Sequence, residues 1–362
     1  MAPQLFEPLG IGTVALQHRV VLAPLTRFKA SAEHVPYLPI VAEYYAQRAS
    51  PGTLLIPEST LIAARAGGFA NVPGIWGLSQ IAAWREVAAA VHAKGSFIFM
   101  QLWALGRVAE PTQLAAVTRG RTFPYVSASD VPLAGRSLRP RALSVAEIEG
   151  YVAIYAQAAR NAIAAGCDGV EVHAANGYLP DQFLQDVSNT RTDAYGGSIV
   201  NRARFVLEVV DAVVAAVGPE RTAIRFSPWS TVHDMGMQDP LPTFSYLVSE
   251  LAARHPTLAY LHLIEPRISG DEPRAEGTVG AHESNDALRA LWAPRPLIRA
   301  GGFDRARCNL VAFGRLFISN PDLPTRLEQG APLAPYDRRT FYLSGVERVA
   351  TPTRVCRHRR RS

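Results

Sequence analysis

Short apolar runs alternate with longer amphipathic stretches along the chain, a rhythm that predicts strands and helices in turn. Strands are predicted at 19–24, 53–57, 97–102, 169–173, 222–227, 259–264, 296–300 and 310–313. Helices are predicted over 40–49, 81–93, 144–165, 199–217, 244–254, 288–292 and 323–329. Strand-helix alternation implies a parallel sheet, and eight such strands in one chain imply closure into a (β/α)8 TIM barrel. Local signals agree with this reading. Ser144 and Glu147 form a capping-box pair ahead of a long apolar-periodic run, and Lys94-Gly95 and Gly166 stop helices.

Two stretches break the rhythm. Residues 105–142 are rich in Arg, Pro, Ser and Thr with weak periodicity, and read as an excursion after strand 3 that crosses the barrel mouth as a lid. Between strands 7 and 8, only Asp304, Arg305, Ala306, Arg307, Cys308 and Asn309 follow Gly301-Gly302-Phe303. A parallel crossover normally takes a dozen residues or more, so this connection is abnormally short. Either the barrel closes in a distorted way there or the chain is a truncated version of a regular one. On this reading 1–343 form a single barrel domain and 344–362 an atypical basic tail.

Composition narrows the class. Of the 362 residues 48% are hydrophobic, ample for a core, which argues against global disorder. The net charge of +6 is concentrated at the end, in Arg354, Arg357, Arg359, Arg360 and Arg361, and no aromatic-plus-basic module accompanies it. Nucleic-acid binding is therefore not expected. Cys167, Cys308 and Cys356 are far apart with no C-x-x-C pair, which suits a reducing compartment and neither a disulfide framework nor a metal site. No secretory signal and no apolar run of membrane-spanning length is seen, so a cytoplasmic protein without membrane attachment is expected. Gly10-Ile11-Gly12 is not a dinucleotide fingerprint, because the third glycine is missing and no helix opens after it.

Candidate chemistry gathers at the end of the fourth strand. Val170 and Val172 mark a buried strand, and His173, Asn176 and Tyr178 follow at i, i+3 and i+5. Two of these can donate to an oxygen, and the third is a phenol able to release a proton. A barrel strand's C-terminal mouth is where such folds keep their chemistry. Read alone, the same residues could satisfy a strand end and pack a neighbouring loop. A metal site is not expected, since no second His or carboxylate stands at i+4 from His173.

The order of motifs decides between these readings. Leu5-Phe6-Glu7-Pro8-Leu9, Ala23-Pro24-Leu25-Thr26-Arg27, Gln101-Leu102-Trp103, the His173 to Tyr178 loop, Tyr195-Gly196-Gly197-Ser198, Arg225-Phe226-Ser227-Pro228, Ala300-Gly301-Gly302-Phe303 and Phe313-Gly314-Arg315 follow one another over roughly residues 5 to 342. In this the chain resembles the Old Yellow Enzyme family of FMN-dependent ene-reductases, especially its fungal members. Gln101-Leu102-Trp103-Ala104 and Ile318-Ser319-Asn320-Pro321-Asp322-Leu323-Pro324 are similar to the wording of ergot-pathway, chanoclavine-aldehyde-reductase-like members.

The resemblance implies an oxidoreductase that reduces the activated C=C bond of an enone, enal or nitroalkene with NADPH or NADH, by ping-pong hydride and proton transfer. It implies His173 and Asn176 as donors to the substrate oxygen, and Tyr178 as the general acid. In the ergot-type group a Tyr at the acid position goes with reductase behaviour. For FMN it implies Pro24, Leu25, Thr26 and Ser59 beside the ring, Gln101 at the pyrimidine edge and Arg225 as the cation there. Gly301, Gly302, Gly314 and Arg315 are implied for the phosphate. Trp103, Tyr342, Val232 and His233 would line the substrate pocket or serve as rim and core residues. A monomer or homodimer acting on small molecules is expected. Two departures from the family pattern imply weaker FMN retention: the 304–309 connection, which drops the seventh helix, and the altered sequence after Tyr342. A non-catalytic member with impaired FMN binding is the alternative.

Overall fold

The computed structural model describes residues 4–115, 122–270, 272–275, 277–301 and 310–344. Eight parallel strands close a barrel: β1 Val20–Leu22, β2 Leu54–Leu55, β3 Phe97–Trp103, β4 Gly169–His173, β5 Thr222–Phe226, β6 Tyr260–Ile264, β7 Leu297–Ala300 and β8 Leu310–Phe313. Closure is explicit in the register, with Val311 of β8 opposite Val20 of β1 and Leu54 of β2 opposite Phe97 of β3. β7 and β8 also pair in parallel, Ile298 opposite Leu310. The 304–309 connection between them, with Gly302, lies outside the described residues, as does the tail from Gly345 onward.

The helices around the barrel are α1 Ile40–Arg48, α2 Leu78–His92, α3 Val145–Ala164, α4 Ile199–Val217, α5 Leu241–Arg254, α6 Asp286–Trp292 and α7 Leu323–Gln329. The capping box of α3 forms as expected: the Ser144 hydroxyl accepts from the Glu147 N–H, and the Glu147 carboxylate accepts from the Ser144 N–H. α2 begins three residues before the expected position. No Ser or Asp marks its start; instead Gln80 Oε1 accepts from both the Trp76 and Gly77 N–H groups, at 2.8 and 2.9 Å. β2 is shorter than the apolar run suggested, because Pro57 can donate nothing to a ladder. No helix among the described residues is long and apolar enough to cross a membrane.

The lower interior is packed with side chains. A hairpin of Leu9–Ile11 against Val14–Leu16 carries the Gly10-Ile11-Gly12 segment and buries Ile11, Val14 and Leu16 with Val21, Leu54, Phe99, Ala223, Tyr260 and Ile298. Phe99 can fill the middle of the barrel only because Gly169 has no side chain, since a Cβ there would stand 2.3 Å from the Phe99 ring. The Phe99 and Tyr260 rings meet at 5.5 Å and seal this level. Above it the inward positions turn polar, and the site begins.

Candidate active site

Inward-facing residues on a strand recur every second position, so Gln101 and Trp103, Glu171 and His173, and His262 above Tyr260 share the interior side of their strands. Over them opens a cleft of about 510 Å³, lined by the carboxyl ends of β1, β4, β5, β7 and β8 and the loops beyond. Pro24, Leu25, Thr26, Ser59, His173, Asn176, Tyr178, Arg225, Gly301, Gly314, Arg315 and Tyr342 all line it, as do Val232 and His233. Residues from opposite ends of the chain thus converge on one space.

Two expected residues do not line it. Trp103 is buried behind Tyr178, ring centroids 5.0 Å apart and nearly perpendicular, because β3 continues under the loop that carries the tyrosine. Gln101 is fully buried one level below, where its Oε1 accepts from the Ser59 hydroxyl and its Nε2 donates to Glu171. Ser59 therefore connects the cleft to the layer underneath.

The loop after β4 is held from several directions. The Asn176 N–H donates to Ser227 Oγ at 2.7 Å, and the Asn176 carbonyl lies 2.7 Å from Nδ1 of His233. The Gly177 N–H donates to Asp181, and the Gly177 carbonyl accepts from Gln182. The Tyr178 ring sits 4.9 Å from His173 and 5.3 Å from His233. Burial first, then the positive charge of Arg225, hold the His173 imidazole well below its ordinary pKa. The ring is therefore neutral, with one nitrogen donating and the other accepting.

Polar atoms without protein partners gather here. Among the described residues, His173 Nδ1, Asn176 Oδ1 and Arg225 Nε are buried and have no hydrogen-bond partner. Leaving such groups unsatisfied typically costs about 1–3 kcal/mol each, so three around one cleft mark a place built to receive a polar ligand. A planar heteroaromatic group with carbonyl and ring-nitrogen edges, carrying an anionic tail, fits the donors, the Arg225 cation and the Arg315 side of this cleft.

Sequence reasoning passed over several residues that shape the site. Phe28, Phe69 and Ile268 line it as apolar walls. Arg107, almost fully buried, donates to the carbonyls of Val131, His233 and Asp234, which ties the 105–142 excursion to the loop after β5. None of the described excursion residues lines the cleft. His262 carried a readable signal, a lone polar residue within the otherwise apolar run of β6.

An enclosed parallel barrel with its polar residues collected at the strands' carboxyl ends belongs to the mouth-active barrel enzymes. Residues 4–334 match the model of the NADH:flavin oxidoreductase / NADH oxidase family, and the chain belongs to that family. It is 54% identical to the chanoclavine-I aldehyde reductase of Penicillium roqueforti, covering 94% of this chain and 93% of that protein. It is 48% identical to an aldehyde reductase of Cladobotryum, covering 94% of this chain and 91% of that protein. Morphinone reductase superposes with a TM-score of 0.84 at 42% identity, over 96% of this chain and 95% of the other. The Old Yellow Enzyme of Pichia superposes equally well, TM-score 0.84 at 38% identity, over 94% of this chain and 91% of its own.

Proposed function

We propose that this chain is an FMN-dependent ene-reductase that uses NADPH or NADH to saturate the activated C=C bond of an α,β-unsaturated carbonyl compound. The observation that carries the reading is the convergence of His173, Asn176, Tyr178, Thr26 and Arg225 on a single cleft with unpaired donors and acceptors. Thr26, Ser59 and Arg225 would hold the flavin ring, while Gly301, Gly314 and Arg315 would hold its phosphate. When bound, FMN would supply hydride chemistry at the alkene's β-carbon. His173 and Asn176 fix the substrate's carbonyl oxygen and stabilise the negative charge that gathers there, as an oxyanion hole does. Tyr178 gives the proton to the α-carbon from its phenol hydroxyl. Nicotinamide and substrate occupy the same cleft in turn, which gives a ping-pong order. Relatives named as aldehyde reductases support an unsaturated aldehyde as substrate, and the cysteine usage supports a cytoplasmic setting.

A second reading has its own support. A relative from Epichloe festucae, 47% identical, carries the name probable inactive reductase. Purified protein decides between the two. Stoichiometric flavin absorbance at 450 nm, with anaerobic NADPH consumption on adding 2-cyclohexenone or an enal, is the expected result. Bound flavin without turnover of any such acceptor would establish the inactive reading.

A further inference from the structure

One level below the cleft the barrel interior carries charge that packing alone does not call for. Gln101 of β3 stands opposite Glu171 of β4 in the strand register, and Arg225 of β5 opposite His262 of β6. Gln101, Glu171 and His262 are fully buried. Gln101 Nε2 donates to one carboxylate oxygen of Glu171 at 2.6 Å, and His262 Nδ1 meets the other at 2.8 Å. A buried carboxylate is costly, and apolar residues of similar volume commonly serve a core as well or better. Burial pushes the Glu171 carboxyl up; His262, Arg225 and Gln101 together outweigh it and leave the group below its ordinary value, so it is ionised. Burial lowers His262, whose ring is neutral and uses its Nδ1–H for Glu171.

The arrangement has two consequences for the cleft. A carboxylate only accepts, so it fixes the Gln101 amide with nitrogen downward and oxygen toward Ser59, which lines the cleft. It is also the carboxylate whose field acts on Arg225, the cation at the cleft floor. We propose that Glu171 is a positioning residue for the flavin site: it orients Gln101 and counterbalances Arg225, setting how much positive field a bound ring experiences at its pyrimidine end. This rests on the flavin reading above. Arg225 favours the negative charge that a flavin gains on reduction, and Glu171 moderates that preference.

The test uses the FMN-loaded protein, with midpoint potential and sulfite affinity as readouts, since both follow the field around the ring. Glu171→Gln is expected to shift the two-electron equilibrium at least tenfold toward reduced flavin, about 30 mV positive. Its sulfite dissociation constant should fall by a similar factor. Glu171→Asp keeps the charge and should stay within about threefold of the wild type. In an Arg225→Gln background, adding Glu171→Gln should move both readouts in the same direction as in the wild type, because the carboxylate's field reaches the ring whether or not Arg225 is charged. That double variant also has an electrically neutral core, so it carries the test should the single variant not fold. An unmoved potential in Glu171→Gln with full FMN content overturns this inference alone, as does a double variant whose potential equals that of Arg225→Gln. A wild-type chain that takes up no FMN overturns the flavin reading and this inference with it.

Discussion

Tyr178 is set among rings rather than on open surface. Trp103 lies behind it, His173 beside it and His233 across from it, all within 5.3 Å between centroids. A phenylalanine would keep these ring contacts and lose only the hydroxyl. On the proposed chemistry, Tyr178→Phe therefore folds normally and accepts electrons from NADPH at the wild-type rate, while transfer to 2-cyclohexenone slows by about 10²–10⁴. Anaerobic stopped-flow traces of the two half-reactions separate these effects. Equal slowing of both would place Tyr178 in the architecture and not in proton transfer. This residue was legible in sequence because His173, Asn176 and Tyr178 share one loop, so their spacing is itself the geometry. Glu171 was not, although it lies two positions from His173 on the same strand face. Its hydrogen-bond partners come from two other strands, and a single apolar run gives no sign of them.

The short helix Leu179–Leu184 after that loop does more than connect. Its Gln182 uses all four hydrogen-bonding positions of the amide: it donates to the carbonyls of Leu105 and Gly177, and accepts from the Arg107 N–H and the Ser127 hydroxyl. The loop after β3, the 105–142 excursion and the Tyr178 loop are thereby locked to one side chain. Gly106 leaves room for it: its φ is +58, and a Cβ at this position would stand only 2.1 Å from Gln182 Oε1. Gln182→Met strands buried carbonyls and an N–H, and should cost about 2–4 kcal/mol of stability. Gly106→Ala should produce the same loss by displacing the amide. Thermal melts of both variants check this, and a pair of unaffected melting curves would show that the lock is dispensable. The excursion had the signature of a lid in sequence: many polar residues and no period. Its described portion is instead fastened by Arg107 and Gln182, contacts between segments that are far apart in the chain and invisible to local pattern.

At the scale of the whole molecule, the alternation of strands and helices sufficed to read the barrel, since each element announces itself within its own few residues. The hairpin plugging the lower end was missed because three-residue strands carry too little pattern. The closing seam is where the fold and the proposed ligand meet. β8 joins β7 to β1, and the cleft draws Gly301 from the end of β7, Gly314 and Arg315 from the end of β8, and Pro24 to Thr26 from the end of β1. A ligand seated there bridges three consecutive strands across the seam, so its binding energy should appear as barrel stability. At a free FMN concentration of about 100 times Kd, mass action adds roughly 2.7 kcal/mol. For a chain of this length that is a rise of about 3–4 °C in melting temperature. Hydrogen exchange should localise the gain: amides of Val20–Leu22 and Leu310–Phe313 should slow most on adding FMN, and those of α3 and α4, on the far side, least. Slowing spread evenly over the barrel, or confined to the loop after β4, would show that the phosphate end does not engage the seam.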